Sequence, residues 1–189
     1  MMKYHFNMKK YSTKQLIKQF KNIECLCVDA DGTLTDGGMY LNENNIATRR
    51  FYAHDGTAIN MIKHLGIKVA IVTTSISSIM IERGKILGFD EVIIGSHNKG
   101  DTIKDLCKKH NINIENTIHM GDDVNDILGF QAVGYPIAVK NSAPAIFDFS
   151  CYITKKNGGE GAVREICDLI LLAKTGKLYG PPYLDNFIQ

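Results

Sequence analysis

Short apolar runs alternate with segments of helical period along almost the whole chain, and this alternation limits the possible folds more than any other feature of the sequence. Runs suited to buried strands stand at 25–28 (Cys-Leu-Cys-Val), 69–72, 92–94, 117–120 and 137–139, with a shorter one at 151–153. Between them, apolar residues recur at the spacing of one helix face: Ile59, Ile62 and Leu65; Ile79, Ile86 and Leu87; Ile103, Leu106, Cys107 and His110; Ala162, Ile166, Leu169 and Ile170. Strands that neighbour one another yet are joined through helices must run parallel with right-handed crossovers. The pattern therefore predicts an α/β fold with a doubly wound, Rossmann-like parallel sheet over about residues 23–175.

One segment interrupts the alternation. Gly38-Met39-Tyr40-Leu41 and Thr48-Arg49-Arg50-Phe51-Tyr52 flank the polar cluster Asn42 to Asn45, which predicts a β-hairpin over about 38–52, inserted after the first strand. Such a hairpin would overhang the carboxyl end of the sheet. Before the first strand, Leu16, Ile17 and Phe20 fall at helical spacing within a mildly basic stretch, so residues 1–22 are expected to supply an amphipathic helix that packs on the domain. Residues 176–189 form a tail whose Leu178, Tyr179, Pro181, Pro182 and Tyr183 suit docking on a partner, with a disordered end as the plainer alternative.

A chain of 189 residues can bury a sizeable core without disulfides or a structural metal. Basic and acidic residues are interspersed and the formal charge is only +2, which gives no footing to nucleic-acid binding. No apolar segment approaches the length of a membrane-spanning helix, and no signal-peptide pattern opens the sequence, so a cytoplasmic protein without a membrane partner is expected. Five cysteines form no Cys-x-x-Cys pair. Cys25 and Cys27 share one face of their strand, where they are expected to be buried as small apolar residues.

In an open parallel sheet, ligands bind beyond the carboxyl ends of the strands. Read in order, those ends carry Asp29 and Asp31, then Thr73, Thr74 and Ser75, then Lys99, then Gly121-Asp122-Asp123 and Asp126. Two carboxylates one residue apart repel, so a cation is expected beside Asp29 and Asp31. Taken singly, each has a plainer explanation: an Asx turn for Asp-x-Asp-Gly, helix capping for the hydroxyls, a first-turn acid for Asp123. Lys99 is the least plain, because a lysine near the start of a helix opposes the macrodipole unless an anion lies beside it. Asp101 is the local candidate for that anion.

The ordered set Asp-x-Asp-Gly-Thr, Thr, Lys and Gly-Asp-Asp-x-x-Asp resembles the four motifs of the haloacid dehalogenase superfamily. The resemblance implies a phosphomonoesterase in which Asp29 attacks phosphorus to form an aspartyl phosphate and Asp31 serves as general acid and base. It implies Mg²⁺ held by Asp29, Asp31 through its backbone carbonyl, and Asp122. Thr73, Thr74 and Lys99 would hold the phosphoryl oxygens, and Asp126 would support Lys99 or a metal-bound water. The stretches from Asp36 to Thr73 and from Thr73 to Lys99 leave no room for a cap domain, which rarely has fewer than about 50 residues.

Asp-Gly-Thr-Leu-Thr-Asp-Gly-Gly from Asp31, Phe51 through Asp55-Gly56, and Gly158 through Glu165 narrow the resemblance to the capless phosphatases of 3-deoxy-D-manno-octulosonate 8-phosphate. That family implies a homotetramer whose hairpins pack together, and a sugar-acid phosphate as substrate. His54, Asp55, Gly56, Asn60, Ser75 and Arg83 fall where such enzymes meet the sugar. Thr74-Ser75 replace the family's usual Gly-Arg, His54 stands where Arg is common, and Asn60 where a base is common. Fewer guanidinium groups for the sugar carboxylate keep the phosphatases of nine-carbon keto acids (deaminoneuraminate or sialic acid 9-phosphates) open as an alternative. A non-catalytic oligomerisation module, like that of sialate cytidylyltransferases, is the alternative of another class; retention of Asp29, Asp31, Lys99 and Asp122 speaks for catalysis.

Overall fold

A computed structural model describes residues 8–44 and 46–178. The aromatic and proline positions of the tail from Tyr179 onward lie outside the described residues, as do the first seven positions.

Six parallel strands form one sheet: β1 (Cys25–Val28), β4 (Lys68–Val72), β5 (Glu91–Ile93), β6 (Thr117–Gly121), β7 (Tyr135–Ala138) and β8 (Tyr152–Ile153). Their spatial order is β5-β4-β1-β6-β7-β8, so the chain builds outward from β1 in one direction and then in the other. The expected doubly wound sheet is present, with strand bounds shifted by one or two residues. β5, for instance, begins at Glu91, whose carboxylate takes an ion pair from Lys109 at the sheet edge.

Alternation within β1 assigns the two faces. Leu26 and Val28 point into the larger core, shared with Leu16 and Phe20, with Ile59 and Ile62 of helix α2 (Ala53–Lys63), with Met80 and Leu87 of α3 (Ser78–Leu87), and with Val163, Ile166 and Ile170 of α6 (Ala162–Thr175). Cys25 and Cys27 point to the opposite face, against Ile103, Leu106 and Cys107 of α4 (Lys99–Lys109), on which α5 (Ile127–Ala132) packs in turn. All five cysteines are free and buried. Helix α1 (Thr13–Gln19) begins with a capping box between Ser12 and Gln15 and seats Leu16 against α6.

The hairpin comprises β2 (Tyr40–Leu41) and β3 (Ala47–Thr48), antiparallel, with one further bridge from Thr35 to Phe51 that ties its base to the turn after β1. Met39, Tyr40, Leu41 and Ile46 are all exposed on it. Among the described residues, no helix is long and apolar enough to cross a membrane.

Candidate active site

β1 is paired on both sides, so its carboxyl end opens at the point where the strand order reverses, the crevice in which doubly wound sheets bind ligands. Register brings the functional residues level: Val28 lies opposite Ile71 of β4 and Met120 of β6, and Asp29 follows directly, its N–H donating to Met120 O at 2.9 Å. Thr73 and Asp122 each emerge one residue beyond the strands that flank it.

After Asp29 the chain makes a wide turn over residues 30–34, closed by Thr35 N–H donating back to Ala30 O at 3.0 Å. Gly32 has φ +91°, and a Cβ there would fall 2.1 Å from Asp122 Oδ2, so this position admits only glycine on both counts. Gly158, in the loop before α6, lies so close that a Cβ would meet Gly32 O at 1.7 Å, and Gly159 N–H donates to Thr33 O at 3.1 Å. The late glycines thus buttress the turn that carries Asp31.

Lys99 is the first residue of α4, after the cap Asn98, and its side chain is fully withdrawn from solvent. Its ammonium donates to Asp29 Oδ1 and to Asp126 Oδ1, both at 2.6 Å. Asp101 is not its partner: that carboxylate pairs with Lys104 and accepts from Asn98 on the exposed side of the helix. The anion that offsets the macrodipole comes from across the sheet.

Asp126 has both oxygens engaged. Oδ1 receives Lys99 and, at 3.0 Å, His119 Nε2; Oδ2 receives the N–H groups of Asp122 at 3.0 Å and Asp123 at 3.3 Å. Burial would raise its carboxyl, but the bond from His119 and then the Lys99 ammonium hold it at about 2. Asp29 goes the other way, pushed up to about 7 by burial and by Asp126, with Lys99 only partly offsetting them. Asp122 rises to about 8, again by burial first and then by Asp29 and Asp126. Burial would lower Lys99, yet the two aspartates raise it instead.

Asp29, Asp122 and Asp126 offer oxygens within 4.8 Å of one another. Three carboxylates face a single ammonium, and the excess negative charge is what lifts Asp29 and Asp122. A hard cation bound by oxygens would relieve it. Asp126, with four donors already upon it, supports such a site, whereas Asp29 and Asp122 retain free oxygens for it.

Thr73 is buried, its hydroxyl accepting from Ser75 N–H at 3.1 Å, so it stands at the crevice with Ser75 folded over it. Thr74 Oγ1 accepts from Asn125 Nδ2 at 3.3 Å. Most of the residues expected at the sugar form a second group, on α2 and α3. Asp55 is buried and its Oδ1 accepts from Arg164 N–H at 2.7 Å; since Gly161 has no side chain to cap α6, Asp55 of α2 caps it instead. Burial pushes Asp55 up to about 6 against that bond and Arg164. Gly56 admits Leu87 and Arg83 of α3, and the Arg83 guanidinium lies 5.1 Å from the centre of the Phe51 ring. His54 is exposed beside Tyr52, and the Asn60 carbonyl bonds His64 Nδ1 at 2.7 Å.

Two site residues were not legible in the sequence. Arg49, on the hairpin, donates from Nε to Asp31 Oδ1 at 2.7 Å. His119, in mid-strand on β6, reaches Asp126 as described; its only signal was a polar residue inside a buried run.

A family model described as haloacid dehalogenase-like hydrolase matches residues 86–166, which include Lys99, Asp122 and Asp126. The 3-deoxy-D-manno-octulosonate 8-phosphate phosphatase KdsC of Escherichia coli K12 is 37% identical over 163 residues, covering 86% of this chain and 86% of that enzyme. This chain belongs to the 3-deoxy-D-manno-octulosonate 8-phosphate phosphatase family of haloacid dehalogenase-like hydrolases. It is a phosphoric monoester hydrolase. Two solved members of the family superpose closely on it. The Moraxella catarrhalis enzyme, in complex with magnesium ion, phosphate ion and KDO, gives a TM-score of 0.83 at 34% identity, over 94% of this chain and 98% of that one. The cobalt-bound Haemophilus influenzae phosphatase gives 0.83 at 31% identity, over 90% and 99%.

Proposed function

We propose that this protein hydrolyses 3-deoxy-D-manno-octulosonate 8-phosphate to the free sugar acid and phosphate, using Mg²⁺ and an aspartyl-phosphate intermediate on Asp29. The observation that carries this reading is the buried Asp29–Lys99–Asp126 chain beside Asp122, on a family scaffold with no cap domain among the described residues. Asp29, the Asp31 carbonyl and Asp122 would hold Mg²⁺. When bound, the ion neutralises phosphoryl charge so that a carboxylate can approach it. Lys99 holds Asp29 in place and presents its remaining N–H to a phosphoryl oxygen, with Thr73 as the second donor. Asp29 supplies the oxygen that bonds phosphorus, and Asp31 gives a proton to the departing alkoxide and later takes one from water. Asp126 keeps Lys99 charged and aimed.

We assign the sugar end of the substrate to Ser75, His54, Asn60 and Arg83, with Arg83 as the guanidinium left for a carboxylate; Asp55 and Gly56, both buried, support that wall from beneath by capping α6 and admitting α3. The exposed apolar residues of the hairpin support a homotetramer held through that element. Five free, buried cysteines support a cytoplasmic setting.

Comparing kcat/KM for eight-carbon and nine-carbon keto-acid phosphates, with Asp29→Asn as control, tests the reading. The eight-carbon ester is expected to be preferred, with activity that vanishes in D29N. A preference of about tenfold or more for a nine-carbon ester, 1.4 kcal/mol in transition-state binding, would move the assignment to the nine-carbon class. Absence of turnover on any sugar phosphate would favour the oligomerisation module.

A further inference from the structure

We propose that Arg49 is the positioning residue for Asp31, and that it confines the transferable proton of that carboxyl to Oδ2. The inference rests on the phosphatase reading above. Arg49 directly follows β3 in a hairpin whose strand residues are largely exposed, yet its own side chain keeps only 6% of its accessibility. A long cationic side chain on a surface hairpin ordinarily reaches outward, since its charge loses hydration when buried. Here it turns inward, donating from Nε to Asp31 Oδ1 at 2.7 Å and from Nη1 to Thr48 O at 3.3 Å. The next residue, Arg50, behaves differently: it stays half exposed, 3.5 Å from Asp36, and bonds Gly159 O.

The chemistry of the pair fixes more than distance. A guanidinium has donors only and does not give up its proton in a folded protein. A carboxyl oxygen that bears the proton is the poorer acceptor, so the bond from Arg49 to Oδ1 favours Oδ2 as the oxygen that carries a proton. The last torsion of an aspartate is otherwise broad and nearly two-fold, so that its two oxygens exchange freely. Arg49 removes that freedom. The Asp31 side chain is still 31% accessible, and Oδ1 is the oxygen that Arg49 holds. In the transfer step an Asp29 oxygen bonds phosphorus as the P–O ester bond breaks. Its electron pair goes to the ester oxygen, which takes the proton from Asp31 Oδ2. Arg49 exchanges no proton and acts through the orientation of Asp31.

An oriented acid matters in proportion to how poor the leaving group is, and this supplies a test that a scaffold role would not pass. Arg49→Met and Arg49→Lys are compared with wild type on 3-deoxy-D-manno-octulosonate 8-phosphate, a primary alkyl ester, and on p-nitrophenyl phosphate, whose phenolate leaves without help. R49M is expected to lower kcat/KM on the alkyl ester by about 100-fold and on the aryl ester by less than about threefold, with KM little changed, because kcat/KM ends at phosphoryl transfer, before Asp31 takes a proton from water. R49K is expected to fall between R49M and wild type on the alkyl ester alone, and thermal midpoints are expected to agree within about 2 °C. Equal losses on the two esters, a loss confined to KM, or a loss that follows a lowered midpoint would overturn the assignment. A wild-type protein that turns over neither ester would instead remove the phosphatase reading itself.

Discussion

Lys99 Nζ lies 2.6 Å from Asp29 Oδ1, with both side chains almost wholly withdrawn from water. The two residues are far apart in sequence and meet because β1 and the start of α4 end at the same level of the sheet. A buried pair of this kind is held together less by net attraction than by the cost of breaking it, since either partner alone would be an uncompensated buried charge.

Lys99→Met should therefore destabilise the metal-free protein by about 3–5 kcal/mol, because Asp29 and Asp126 lose their common cation. Urea unfolding monitored by circular dichroism measures this. Activity should fall by about 1,000-fold or more, through loss of the proposed hydrogen-bond donor to the phosphoryl oxygens. A variant that unfolds like wild type would show that the pair contributes nothing to stability.

Stability without metal should decline as pH rises. Asp29 and Asp122 keep their protons in the folded state up to about 7 and about 8, whereas an ordinary aspartate loses its own near 3.8. Between these limits the folded state binds more protons than the unfolded state, so the free energy of unfolding falls with pH across that window. With Asp29 and Asp122 as the proposed ligands, Mg²⁺ displaces these protons on binding, so its apparent affinity should rise over the same range. Thermal midpoints at about pH 6 and pH 8.5, with and without Mg²⁺, check both signs. The upward shift on adding Mg²⁺ should be larger at the higher pH.

His119→Phe keeps a ring of similar size against Phe130, whose centre lies 5.5 Å from that of the imidazole, and removes only the donor to Asp126. The expected loss is about 1–3 kcal/mol, the worth of a hydrogen bond to a charged buried acceptor. With one fewer donor on Oδ1, Asp126 should hold Lys99 more tightly. kcat should fall while KM stays close to wild type, and steady-state kinetics separates the two.

The proposed homotetramer predicts the mass of four chains in light scattering coupled to size exclusion, and Leu41→Asp on the hairpin should shift it toward smaller species. The residue is exposed, so the fold of the subunit should be unaffected and its circular dichroism unchanged. Retention of the larger mass would remove the hairpin from the assembly.

The alternation of apolar runs and helical segments carried the doubly wound sheet on its own, because a strand buried on both faces and a helix with one apolar side leave different periods in a sequence. The order of Asp29, Thr73, Lys99 and Asp122 carried their placement at one end of the sheet for a related reason: each follows a strand, and parallel strands end on one side. Local spacing could not choose the partner of Lys99. Asp101 is two residues away and yet faces solvent, while Asp29 and Asp126 lie across the crevice.

The tertiary structure alone decided three matters. Asp55 caps α6 because Gly161 lacks a side chain, Arg49 turns inward onto Asp31, and His119 bonds Asp126 from the middle of a strand. Each joins residues whose separation in sequence says nothing about their distance. The sequence determines which chemical groups stand at the ends of which elements; only packing determines which donor meets which acceptor, and hence how charge is shared in the crevice.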